Sequence, residues 1–210
     1  GATIQIDDFP YVHMMRRYSD ELTKRGQPGA FFLSPAFSFR DAREWGTLMH
    51  LVNQDYSNIV AHTKPQVTSA AQWMFDRFDT ARAKAGMAPI FKKLPKKLHA
   101  QIAAATETDA AKVLKDSNAE IDKAADLSDK TIVIEFSRGG ADSAPLPLPA
   151  PYGYKYSLSQ LSSEILEQAS ILYIQVSPEE SRRKNEARAN PKDPGSILHH
   201  GVPRAVMYME

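Results

Sequence analysis

Apolar residues along the chain recur in two rhythms. Three short runs rich in β-branched residues, Thr3 to Asp7 (TIQID), Thr131 to Phe136 (TIVIEF) and Ile171 to Val176 (ILYIQV), read as strands. The last two are almost continuously apolar, as expected of strands covered on both faces in a parallel sheet. Between the first two runs the spacing changes to three and four. Tyr11 to Arg25 predicts a helix closed by Gly26. Arg40 to Thr63 places Trp45, Leu48, Met49, Val52, Tyr56, Ile59 and Val60 on one stripe, and Gln66 to Ala85 repeats the pattern with Trp73, Met74 and Phe78 before Gly86. After Lys92 to Ala105 (KKLPKKLHAQIAAA), the sequence TETD at Thr106 to Asp109 predicts an N-cap opening a further, alanine-rich helix to about Ala125.

Strands alternating with helices define an α/β class. About 120 residues of mostly helix separate the first strand from the second, far more than one crossover needs, so the expected division is an α/β unit over residues 1–39 and 127–210 with a helical insertion over 40–126. Gly139 to Pro151 (GGADSAPLPLPAP) is too rich in proline for a helix or a central strand. A helix from about Ser159 to Gln168 leads into the third strand, an arginine-rich helix follows it, and Asn190 to Pro203 is a polar, proline-broken loop.

Composition narrows the function classes. A chain of 210 residues can form one good core, and its 26 basic and 25 acidic side chains leave a net charge of +1, so no global field draws it to nucleic acid or membrane. Any basic function must be local. The absence of cysteine excludes disulfides, thiolate metal sites and a cysteine nucleophile, and fits a reducing cytoplasm. No apolar run approaches the ~18 residues of a membrane span and no basic-then-apolar leader opens the chain, so the expected location is cytoplasmic. The apolar helices between residues 40 and 85 could serve a homodimer as readily as a core.

Five features carry candidate chemistry. Asp7 and Asp8 close the first strand, and ligands of open α/β sheets collect at the carboxyl ends of strands. Paired acids there can take a proton from a hydroxyl or orient magnesium through water, although Asp8 before Phe9-Pro10 also suits a helix N-cap. Glu135 lies in or at the end of an apolar strand, where a carboxylate is costly unless paired or functional, and Arg138 follows just beyond, suited to phosphate, carboxylate or a structural bond. In SPEESRRKNEAR, acids at helical spacing answer Arg182 and Arg183, but Lys184 and Lys192 flank Arg188, which is either solvated or kept for an anion. Lys92, Lys93, Lys96 and Lys97 read as a solvated face. His199-His200 lacks a second ligand cluster near it in sequence, so no metal site is expected from it.

These segments resemble a family. ILYIQVSPEESRRKNEAR resembles the strand and basic lid helix of P-loop small-molecule and nucleotide kinases, TIVIEFSRGG the preceding strand of nucleoside-kinase-like enzymes, and TIQIDDFPY the acidic-pair strand of uridine-kinase-like ones. Their order along the chain agrees with that family. The resemblance implies a three-layer α/β/α fold, ATP and Mg2+ as cofactors, and phosphoryl transfer to a nucleoside-, nucleotide- or sugar-like small molecule. It also implies Asp7 or Asp8 as the base or magnesium-orienting acid, Glu135 and Arg138 at the substrate, and Arg183 and Arg188 over the ATP phosphates. Asn185 stands where many relatives place the first lid arginine. No G-x-x-x-x-G-K-[ST] occurs in the chain, although in the family that phosphate loop precedes the acidic-pair strand. Either an upstream strand and loop are missing from this chain, or it never had them. The competing functional class is a non-catalytic nucleotide- or partner-binding protein on a degenerate form of the fold.

Overall fold

A pair of parallel strands lies against one side of a helical body. The structure, a computed structural model, describes residues 3–32, 38–139 and 144–188. Strand β1 (Thr3–Asp7) pairs with β2 (Thr131–Glu135) in the register Thr3 opposite Thr131 through Asp7 opposite Glu135. Among the described residues, seven α-helices and one short 3-10 turn complete a mixed α/β architecture. They are α1 (Phe9–Thr23), α2 (Glu44–Val60), α3 (Ala70–Lys84), the turn Phe91–Lys93, α4 (Lys96–Lys123), α5 (Gly153–Ser159), α6 (Ser163–Leu166) and α7 (Pro178–Arg188).

The period-3.6 stripes become the core except at Val60, which is 49% exposed. Leu48, Met49, Val52 and Ile59 of α2 and Met74, Phe75 and Phe78 of α3 are buried, in one cluster with Ile4 and Ile6 of β1. That cluster runs without a break across the expected boundaries at residues 39 and 126. At its centre Tyr18, Phe31, Phe75, Phe78 and Phe91 pack as an aromatic group, with Phe75 and Phe91 stacked at 4.1 Å between ring centroids. Aromatic pairs at such distances stabilise by ~0.5–1.5 kcal/mol beyond their buried area. Phe91 is delivered there by a carboxylate. Buried Asp79 of α3 accepts hydrogen bonds from the backbone N–H groups of Ile90, Phe91 and Lys92 at 2.7, 3.1 and 2.8 Å, which folds the 3-10 turn onto α3. Gly26 and Gly86 take φ of +71° and +76° just after α1 and α3, the left-handed closure that glycine permits.

Three expectations from the sequence are corrected. The TETD stretch opens no helix; α4 runs through it unbroken from Lys96 to Lys123. Thr106 is buried and donates its hydroxyl to the Ile102 carbonyl one turn back, while Glu107 caps a different helix. Its carboxylate accepts from Ser69 Oγ at 2.7 Å, Ala70 N at 2.7 Å and Ala71 N at 3.0 Å, filling the N-terminus of α3. The second correction is the third strand. Ile171–Val176 pairs with no strand among the described residues, and Leu172 and Ile174 are 85% and 74% exposed. The helix expected over 159–168 is replaced by the short α5 and α6.

Sheet growth is restricted to one side. On the edge of β1 turned away from β2, Glu120 of α4 accepts the Gln5 N–H at 3.0 Å, so α4 covers that edge. Helix α5 seats on α2 where a glycine permits it, since a Cβ added to Gly46 would stand 2.6 Å from the Tyr156 hydroxyl. No described helix is long and apolar enough to cross a membrane.

The trans cap at Glu107 predicts that Glu107→Ala costs about 1–2 kcal/mol in urea denaturation, as loss of an N-cap acceptor does. Thr108→Ala, next to it on the same helix, should shift the midpoint little. Equal midpoints for the two variants would show that the cap contributes nothing.

Candidate functional site

The register of the sheet brings two of the candidate acids together. Both strands are parallel and end level, so Asp7 and Glu135 occupy facing positions at the carboxyl edge. The Asp7 carboxylate turns back and accepts the Phe9 N–H at 2.8 Å, serving the start of α1, where Pro10 lacks an N–H. Burial, set against that hydrogen bond, pushes the Asp7 carboxyl up from 3.8 to about 6; the Asp8 and Glu135 charges push the same way and the Arg188 guanidinium opposes them. Three sequence candidates, Asp7, Glu135 and Arg188, therefore share one electrostatic site. Glu135 is exposed, so it bears none of the burial cost anticipated for a carboxylate in an apolar strand.

Asp8 and Arg138 form a different structure. Asp8 makes no side-chain cap; its Oδ2 lies 2.7 Å from a terminal nitrogen of Arg138, whose side chain is only 1% exposed. Arg138 also donates from Nε to Ser157 Oγ at 2.7 Å and from its other terminal nitrogen to the Ser137 carbonyl at 2.7 Å. Its guanidinium lies 4.7 Å from the Trp45 ring centre and 5.0 Å from that of Phe136. This one cation ties β1, the end of β2, α2 and α5 together. Arg138 pairs with Asp8 rather than with Glu135, its neighbour in sequence, and has little left to offer a substrate.

The arginines of α7 also separate. Arg183 makes a two-point bridge to Glu180 at 2.6 and 2.8 Å, and Lys184 approaches the same carboxylate at 3.6 Å. Arg182 meets Glu179 at 3.7 Å. Arg188, exposed at the last position of α7, forms no hydrogen bond or ion pair with a described residue, yet its charge acts on Asp7. The four lysines around Pro95 are exposed, in keeping with a solvated face. His199-His200 and the loop Asn190 to Pro203 lie outside the described residues. Among the described residues, no three histidine, aspartate or glutamate side chains are placed to hold a metal ion.

Beneath Asp7 is a polar network that the sequence concealed. A cavity of about 90 Å3 is lined by Asp7, Tyr11, Asp55, Asp116, Ser117 and Glu120, with Ile59 and Val113 among its apolar walls. The Tyr11 hydroxyl donates to Asp55, and Arg77 donates to Tyr11 at 2.9 Å, to the other Asp55 oxygen at 2.7 Å and to Gln54 at 2.8 Å. Burial pushes the Tyr11 hydroxyl above its usual range, so it stays a proton donor. The available signal was slight: Asp55 and Arg77 are charged positions beside the apolar stripes of their helices, where unpaired charge is costly. Sequence could not show that they meet.

Comparison with protein-family models, with curated proteins and with solved structures finds no match for this chain. The site rests on its own geometry.

Two outcomes follow. Arg138→Ala leaves Asp8 buried without its cation and should cost about 3–5 kcal/mol in chemical denaturation; a loss under about 1 kcal/mol would remove the latch from the fold. For Asp7, the folded state holds its proton up to about pH 6 while an unfolded carboxyl releases it near 3.8. The stability from this residue is complete below the lower value and is lost as pH rises through the higher one, by about 1–3 kcal/mol. Asp7→Asn keeps an acceptor for Phe9 and removes that slope. Urea titrations at about pH 4 and about pH 7 should therefore show the variant gaining on the parent at the higher pH; a parent and variant separated by the same margin at both values would contradict the raised Asp7.

Proposed function

We propose that this chain belongs to an ATP-dependent phosphotransferase of the P-loop kinase type, acting on a hydroxyl of a nucleoside-, nucleotide- or sugar-like small molecule. The observation that supports this reading best is the carboxyl edge of the parallel pair. There an acid with its carboxyl raised to about 6 faces a second carboxylate and lies within the field of an arginine from a separate helix. Phosphoryl transfer depends on positioning and charge, with one acid orienting the acceptor hydroxyl and cations balancing the phosphate. Asp7 is suited to accept the acceptor's proton, Glu135 to hold a neighbouring hydroxyl, and Arg188 to meet phosphate oxygens.

The fit to the cofactors is divided. Asp7 and Glu135 are the hard oxygen donors that suit magnesium in company with water and phosphate, but the described residues hold no closed metal cluster. Asp8 and Arg183 are committed to Arg138 and Glu180. No phosphate-loop sequence is present to cradle ATP, so no step is assigned to it here. The open edge of β2 and the uncovered run Ile171–Val176 are the places where a further strand of the three-layer fold would pair.

Those same two features favour one alternative, a non-catalytic protein whose exposed apolar run and open edge receive a partner's strand. Assay of the full-length gene product separates the readings. Under the phosphotransferase reading it binds magnesium-ATP and transfers labelled phosphate to a member of a nucleoside and sugar panel, and Asp7→Asn lowers kcat by about 100-fold or more while remaining folded. Absence of nucleotide binding, or an Asp7→Asn variant that turns over like the parent, defeats it.

A further inference from the structure

We propose that the groove between α2 and α3 binds a neutral, polyhydroxylated small molecule, of the class of mono- and disaccharides, laid against Trp73. The groove encloses about 480 Å3, which is in the range of small-molecule sites. Its lining is unusual in kind. Gln54, Gln66 and Gln72 contribute amides, Thr68, Ser69 and Thr80 contribute hydroxyls, and Trp73 supplies the aromatic surface.

The indole is held in place before any ligand arrives. The Arg77 guanidinium lies 4.8 Å from its ring centre, and Arg77 is itself fixed by Asp55, Tyr11, Gln54 and the Leu51 carbonyl. Those four bonds leave the buried Arg77 little to offer an anion. The remaining charges on the lining, Asp76 and Lys84, are opposite in sign. Several polar groups are unspent. The Gln66, Thr68 and Thr80 side chains are exposed and make no hydrogen bond to a described residue, whereas Ser69 is committed to Glu107 and the Gln72 amide N–H to Asp76.

This chemistry selects one ligand class. Hydroxyls and amides each donate and accept, which matches the hydroxyls of a polyol one for one, while the carbon-bound hydrogens of a sugar ring suit an aromatic face. Phosphates and other anions meet no net positive charge here, because Arg77 is answered by Asp55 and the Lys84 charge is balanced by Asp76 on the same lining. A lipid or an apolar peptide would strand the amides without partners. The proposal is independent of the phosphotransferase reading, because Tyr11, Asp55 and Arg77 stand between this groove and Asp7, and lack of phosphate transfer would leave it intact.

The test follows the two tryptophan indole N–H resonances of isotope-labelled protein, assigned by the loss of one in Trp73→Phe. Glucose, N-acetylglucosamine, maltose and sorbitol are the neutral probes, and AMP is the anionic comparison. At least one neutral probe should shift the Trp73 resonance saturably in the millimolar range and leave that of Trp45 unmoved. Gln66→Ala and Thr68→Val, both at exposed positions, should weaken that binding about 2–10-fold without altering the melting temperature, as loss of one hydrogen bond does. The proposal is overturned if no neutral probe moves the Trp73 signal at tens of millimolar, if AMP binds there more tightly than every sugar, or if neither variant weakens the binding.

Discussion

The contact between Arg138 and Asp8 is the point on which the α/β part of this chain turns. A guanidinium with 1% of its side chain exposed must be answered on several sides at once, and each answer comes from a different segment. Asp8 comes from the exit of β1, Ser137 from the exit of β2, Ser157 from α5, and Trp45 and Phe136 enclose the cation. Desolvating a cation costs several kcal/mol, so each partner becomes obligatory rather than helpful. The same contact occupies Asp8 and thereby leaves Asp7 and Glu135 as the acids available at the carboxyl edge.

Elsewhere, acids of one element satisfy the backbone of another. Asp79 of α3 folds the Phe91 turn, Glu107 of α4 fills the start of α3, and Glu120 of α4 covers β1. Each supplies a charged acceptor to N–H groups that would otherwise go unpaired, the stronger kind of hydrogen bond. Helix α4 is therefore more than an amphipathic cover. It provides a cap and an edge closure from two places along its length.

Much of the helical body was legible in the sequence because apolar periodicity and burial share one cause. The stripes on residues 45–60 and 73–78 found the core, and Gly26 and Gly86 marked two helix ends. The parallel pairing of the first two strands was also readable. What could not be read depends on partners distant in the chain. TETD has the composition of a local cap, yet Glu107 serves another helix; Arg138 looks close enough to Glu135 to pair with it, yet Asp8 takes it. Ile171–Val176 has the composition of a strand, but composition does not supply a hydrogen-bonding neighbour, and this run has none among the described residues. At the site, Asp7 and Glu135 were legible from their places at strand ends. The Tyr11–Asp55–Arg77 network was not, because its members lie on three separate helices.

The closure of β1 by Glu120 has a consequence for the order in which this protein can be made. Gln5 meets its acceptor 115 residues later, and β1 meets β2 later still. At ribosomal speeds that is a wait of roughly ten seconds, during which Ile4 and Ile6 have no sheet to join. The helices between them rely on nearer contacts and can assemble during that interval. Strand β1 is thus among the last elements to find its place, beside helices that can already be standing when β2 arrives.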